Sequence, residues 1–225
     1  MVMKCAPYRP AIAAAAGLVL LICGGSGVAA ERLVFQSADG VSSEVLIQPR
    51  EGGYFIASKA PGVDSEAATD GSFAAARWVY RDCARAADIT CQRSENSISI
   101  TGMLEGRKVQ KTHAIDGNPW YQDWGLGLRG FALGHEKTWR FWSINPADPG
   151  MIARFQATKE GKESLTLKGV PVEAMRVKVS LPGFLSIFFQ TKFWFRTSDG
   201  VLVRWEFPQG PGKPALVTDL LVREK

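Results

Sequence analysis

From Glu31 onward, apolar and polar side chains alternate with a period of two in short runs, and turn residues separate the runs. In one run Met175, Val177, Val179 and Leu181 share a face, while Arg176, Lys178 and Ser180 occupy the other. The same pattern predicts strands over 33–36, 44–48, 54–58, 77–83, 97–102, 108–115, 137–144, 151–159, 164–168, 172–181, 191–197, 201–207 and 216–223. No long stretch keeps a helical period; 65–76 (Ala-rich), 123–133 and 184–189 are each long enough for two or three helical turns. Every strand then has one wet and one dry face. A closed or strongly curled sheet is the economical cover for those dry faces, so the expected fold is all-β with short helices: a single curled antiparallel sheet or unclosed barrel over residues 31–225.

One hairpin can be set in register. Phe193, Phe195 and Thr197 alternate with Lys192, Trp194 and Arg196, and after the turn Val201, Val203, Trp205 and Phe207 alternate with Leu202, Arg204 and Glu206. A two-residue Asp199-Gly200 loop would mix the faces. A three-residue loop, Ser198 to Gly200 with Gly200 left-handed, pairs Lys192 with Glu206, Phe193 with Trp205, Trp194 with Arg204 and Phe195 with Val203. An ion pair and a cation–π contact are expected from it, and Trp205 is expected in the core.

Residues 1–30 break the alternation. Lys4 and Arg9 precede the apolar stretch from Ala11 to Cys23, and Val28-Ala29-Ala30 supplies the small residues a signal peptidase needs before Glu31. A membrane span needs about 20 apolar residues, and Gly24 to Gly27 interrupt earlier. Residues 1–30 therefore read as a cleaved signal peptide, and the expected location is periplasmic. Of the two remaining cysteines, Cys83 and Cys91, a disulfide closing a short loop is expected in an oxidising compartment.

Removing the leader takes away two cations and no acid, leaving 25 basic against 22 acidic side chains, a charge of +3. That mild excess contains no basic block, which excludes a nucleic-acid footprint. The chemical inventory is poor. His113 and His135 have no ligand at metal spacing, Asp116 to Pro119 reads as a turn rather than half of an acid pair with Asp123, and Gly125, Gly127 and Gly130 match no phosphate loop. No catalytic residue, metal or cofactor is expected, and the chain reads as a non-enzyme.

Aromatic residues stand out instead. Trp120, Tyr121, Trp124, Trp139 and Trp142 crowd into one stretch, and Phe184, Phe188 and Phe189 belong to an apolar loop between two strands. The rings suit either the interior of a curled sheet or an apolar cavity with 123–133 as a lid. The loop suits a mouth or a docking patch for lipid, membrane or another protein. "IDGNPWYQDW", "FWSINPAD" and "KFWFRTSDGVLVRWEFPQGPGKP" resemble an exported bacterial all-β family of unknown function, over roughly residue 111 to the C-terminus. More distantly, the architecture is similar to the lipoprotein-carrier (LolA/LolB-type) fold, an unclosed barrel with helical plugs over an apolar concavity. The resulting expectation is a carrier or chaperone of a hydrophobic small molecule or lipid, bound by Trp120, Tyr121, Trp124, Trp139, Trp142, Phe184, Phe188 and Phe189. Contact with an envelope protein or membrane surface is the further partner expected, without nucleic acid. The rivals are a structural or assembly factor of the envelope with no small ligand, and a small outer-membrane barrel.

Overall fold

The computed structural model describes residues 29–145, 148, 151–210 and 213–225. The expected leader, up to residue 28, lies outside the described residues. Eight strands run as one antiparallel meander: β1 (Glu31–Ser37), β2 (Ser42–Arg50), β3 (Gly53–Ala60), β4 (Val63–Asp70), β5 (Ala75–Asp82), β6 (Ala87–Ser94), β7 (Ser97–Leu104) and β8 (Arg107–Ala114). After two short helices, α1 (Trp124–Gly127) and α2 (Arg129–Leu133), a second meander follows: β9 (Thr138–Ile144), β10 (Ile152–Leu167), β11 (Val170–Ser180), β12 (Gln190–Arg196), β13 (Leu202–Phe207) and β14 (Leu216–Glu224). β14 returns to pair with β1, which makes a single 14-stranded sheet whose edges are β8 and β9. The unclosed antiparallel sheet expected from the alternation is what forms.

The concave face carries the core. Leu33 and Phe35 of β1, Ile89 and Cys91 of β6, Ile98 and Ile100 of β7, Phe141 of β9, and Phe193 and Phe195 of β12 are all buried there. The free edge of β9 is held by the chain just before α1. Tyr121 donates its backbone N–H to Trp142 at 2.9 Å, and Trp142 donates to Pro119 at 2.8 Å. On the other side Ala75, at the start of β5, donates to the Trp120 carbonyl at 2.7 Å. This segment therefore ties the second meander to the first without a continuous ladder, and the sheet curls although it does not close.

Two strands were not expected. The Ala-rich stretch 65–76 forms most of β4 and the turn into β5, because its small side chains lie flat on a sheet and strand pairing on both sides overrides alanine's helical preference. β6 occupies the segment assigned to a disulfide loop, and the disulfide is absent. Asp82 pairs with Ala87, so Cys83 belongs to the exposed turn, whereas Cys91 sits opposite Trp78, five residues down β5. That separation is about 16 Å along the strand, beyond the roughly 7 Å that a disulfide spans between Cα atoms. Cys91 points into the core, where burial pushes its thiol up to about 12.

β10 is one 16-residue strand rather than two, with a bulge where Lys159 gives way to Gly161. Beyond the bulge the β10–β11 hairpin folds back over the outer face of β12–β14. There Leu165, Leu167 and Val172 pack with Ala174, Trp194, Val203 and Leu220. Glu163 accepts from the Trp194 indole and from Arg176, and Lys168 reaches the Leu221 carbonyl at 2.6 Å.

The β12–β13 hairpin keeps the expected pairs Lys192–Glu206, Phe193–Trp205 and Trp194–Arg204. The loop has four residues, Thr197 to Gly200, because Arg196 and Val201 still bond at 2.8 Å, and Gly200 takes the expected positive φ of 69°. An extra residue at Val203 absorbs the difference, so Phe195 faces Leu202 instead of Val203. The bulge buries Leu202 in the concave core and Val203 under the folded-back hairpin. Arg204 is engaged by Asp219 at 2.6 and 2.8 Å, where a contact with Trp194 was expected.

Candidate functional site

Several inward positions on β2, β3 and β4 near the mouth end are small. Ser43, Ser58, Ala60, Ser65 and Ala67 stand where the other strands carry rings, and Ser58 lies directly opposite Ser65. The space they leave is a cavity of about 370 Å³. Leu33, Phe35, Val45, Ile56 and Val63 line it on the first meander, with Trp78 and Tyr80. Phe193, Leu202, Trp205 and Phe207 line it on the second, and Gln122 to Leu126 form its floor. The exposed rim residues Lys59, Ala60 and Phe207 place the mouth at the end of the sheet where β1, β3 and β13 finish.

The floor is set by the loop before α1. Asp123 caps α1, accepting from the Leu126 N–H at 2.9 Å. Burial raises its carboxyl above the usual carboxylate range, against the pull of its backbone donors and of Arg129. Gln122 is tied by three hydrogen bonds: its amide oxygen takes the Trp120 indole N–H and the Ile144 N–H, each at 3.1 Å, and its Nε2 donates to the Ile144 carbonyl at 3.0 Å. Trp124 donates to Ser143 Oγ at 2.9 Å and lies against Phe141, Phe155, Phe189 and Phe193. α1 can approach the wall because Gly125 and Gly127 carry no Cβ: one at Gly125 would meet Leu202 at 2.7 Å, and one at Gly127 the Tyr121 ring at 2.4 Å. At Tyr80 burial first, and Asp82 second, push the phenol up to about 12.

At the opposite end of the concavity a charge network links α2, β1, β14 and the β12–β13 loop. Arg129 of α2 pairs with Glu31 at 2.9 Å, and Glu31 with Arg223 at 2.7 Å; Arg223 continues to Asp199, which also holds Arg196 at 2.9 Å. Burial pulls the Asp199 carboxyl up, but the hydrogen bonds from Arg196, Val201 and Arg223 prevail and hold it at about 2.

Of the eight aromatic residues expected to bind, the structure brings only Trp124 to the cavity wall. Phe189 stands behind the rim, 5.7 Å from the ring of Phe207 and 6.1 Å from Trp124. Trp120 and Tyr121 are buried core. Trp139 is exposed, and Trp142 donates to Asp116 at 2.7 Å on the far side of β9. Phe184 and Phe188 are 79% and 72% exposed on the loop after β11, clear of the wall. Asp116 is a turn residue, accepting from Asn118 at 3.0 Å; the Trp142 indole, then Asn118 and Arg154, hold it well below the usual carboxylate range against some burial. Sequence reasoning missed Trp78, Trp205 and the small wall. The available signal was the run of inward Ser and Ala in β3 and β4.

No protein-family model matches this chain. No curated protein matches it either. Among solved structures, the hypothetical lipoprotein YmcC from Escherichia coli (K12) is similar at 13% identity, over 87% of this chain and 85% of that one, with a TM-score of 0.34. The family resemblance expected from the C-terminal motifs thus finds no matching model, and its all-β architecture is the part that the structure displays.

Proposed function

We propose that the protein is an exported, non-catalytic binding protein for one apolar small molecule, a single acyl chain or a lipid tail, held in the cavity between β2–β4 and β12–β13. The observation that carries this reading is a 370 Å³ hollow on the concave face, lined mainly by apolar side chains and open at one end. A 150 Å³ apolar cavity already takes benzene, and sites for drug-sized ligands begin near 300 Å³. Its lining is mainly apolar, with a few hydroxyls, Gln122 and Asp123 at the floor and Glu44 and Lys59 towards the mouth, which favours a hydrocarbon chain and provides no cation for a free carboxylate at the floor. The leader-like residues 1–30 support export to the periplasm.

A small outer-membrane barrel does not fit this geometry. Its dry faces would point outward to lipid, whereas here they point inward, and the β8 edge is left open. Native mass spectrometry of the protein purified from the periplasm under mild conditions tests the proposal. A bound adduct of acyl-chain or lipid mass is expected. The bare chain mass alone would remove the ligand reading and leave an envelope assembly role in its place.

A further inference from the structure

Twelve large hydrophobic side chains are exposed among the described residues, and eight of them lie at the cavity-mouth end of the sheet. Val41, Met103, Met151 and Phe207 sit on or beside separate turns there. The other four, Phe184, Leu185, Ile187 and Phe188, belong to a single 3-10 turn (Gly183–Ile187) and the residue after it. An unbiased surface scatters such residues singly. The turn projects between β11 and β12, and from Leu181 to Thr191 it contains no ionisable side chain. Next to it, Phe189 touches Phe207 on the cavity rim, so apolar surface runs without a break from the turn into the hollow.

What covers this end is indicated by the charges beneath it. Lys178 and Lys192 face each other directly across β11 and β12, two residues inside the strand ends Ser180 and Gln190 that lead into the turn. Opposed like charges are unfavourable in a sheet. Their acids, Glu160 and Glu206, stand at 3.7 and 4.0 Å, at the outer limit of an ion pair. Two strand residues place their Cα atoms about 7 Å below the strand ends, beneath the apolar turn, where long basic side chains can reach the headgroup level of a bilayer into which an apolar face sinks by ~5–10 Å. We propose that the turn inserts into a phospholipid bilayer surface, with Lys178 and Lys192 at the phosphate level, and that the cavity loads or unloads its ligand across that contact. This docking role builds on the ligand reading above, and its test is separable from it.

The experiment is flotation of the purified protein with vesicles of phosphatidylcholine and phosphatidylglycerol. The wild type is expected to float. The Phe184→Ser/Phe188→Ser variant changes only exposed rings, so it keeps its fold, and its bound fraction should drop at least about tenfold. Lys178→Gln/Lys192→Gln should weaken binding to the anionic vesicles and flatten its salt dependence. Ser58→Leu, which narrows the cavity, should float as the wild type does. A wild type that stays with the soluble fraction, or a Phe184→Ser/Phe188→Ser variant that floats equally well, overturns the proposal. Flotation that depends on the turn, in a protein that takes up no acyl probe, would uphold the docking surface and defeat the ligand reading alone.

Discussion

Across the hollow, two walls of one sheet are built from opposite choices. β9, β10 and β12 present Phe141, Phe155 and Phe193, with Trp124 wedged among them, and the space is filled. β2, β3 and β4 present Ser43, Ser58, Ser65 and Ala67 at equivalent inward positions, and the space is empty. The backbone scaffold is the same antiparallel meander on both sides, so the cavity is a property of side-chain volume and not of a different fold. A protein interior ordinarily packs to crystal-like density. A stretch of inward serines left unfilled therefore costs dispersion contacts that the aromatic wall keeps, and a bound chain would restore them.

The comparison breaks first where packing is densest. Trp120, fully buried beside β9, should lose about 3–5 kcal/mol on substitution by alanine, measured by urea unfolding. A loss below about 1 kcal/mol would mean that the filled wall is not filled. Next, enlarging a residue on each wall should give opposite results. Ala157→Leu, at a fully buried site on β10, should cost about 1–3 kcal/mol through overpacking. Ser58→Leu, at the hollow, should stay within about 1 kcal/mol of the wild type. Equal destabilisation of the two would show the hollow to be closed in solution.

The smallest effect concerns the charged end opposite the mouth. Asp199, held at about 2, and Glu31, held low by Arg129 and Arg223 although burial opposes them, both have folded values below their unfolded ones near 4. Depressed carboxylates contribute stability that is present above the unfolded pKa and is lost as pH falls through the folded pKa. Thermal midpoints should therefore decline between about pH 4 and pH 2, and Asp199→Asn should flatten that decline. An unchanged acid limb in Asp199→Asn would show that the network does not stabilise this end.

Much of the architecture was legible because period-two alternation is a local signal. The β12–β13 register followed from face matching alone, up to the bulge at Val203 that lets a four-residue loop serve in place of three. β4 was hidden by its alanines, whose helical preference is local while the two-sided pairing that overrides it is not. The cysteine spacing misled for a similar reason: seven intervening residues are a loop in an irregular chain but span both sides of a hairpin once Asp82 pairs with Ala87. The aromatic stretch pointed to the right part of the molecule and the wrong side of it. Trp120 and Trp142 flank the edge of β9, and only Trp124 turns to the hollow. A cavity is made of missing volume, and missing volume becomes visible only when Ser58 and Ser65 are known to face each other.

Titration of the purified protein with a fluorescent single-chain fatty acid, in parallel with Ser58→Leu, bears most directly on the claim that the small wall makes a ligand site. Saturable uptake of one probe per chain by the wild type is predicted, displaced by unlabelled fatty acid and lost at least tenfold in a Ser58→Leu variant that unfolds at the same urea concentration. Absence of saturable uptake in the wild type, or equal uptake by an equally stable Ser58→Leu, would contradict it.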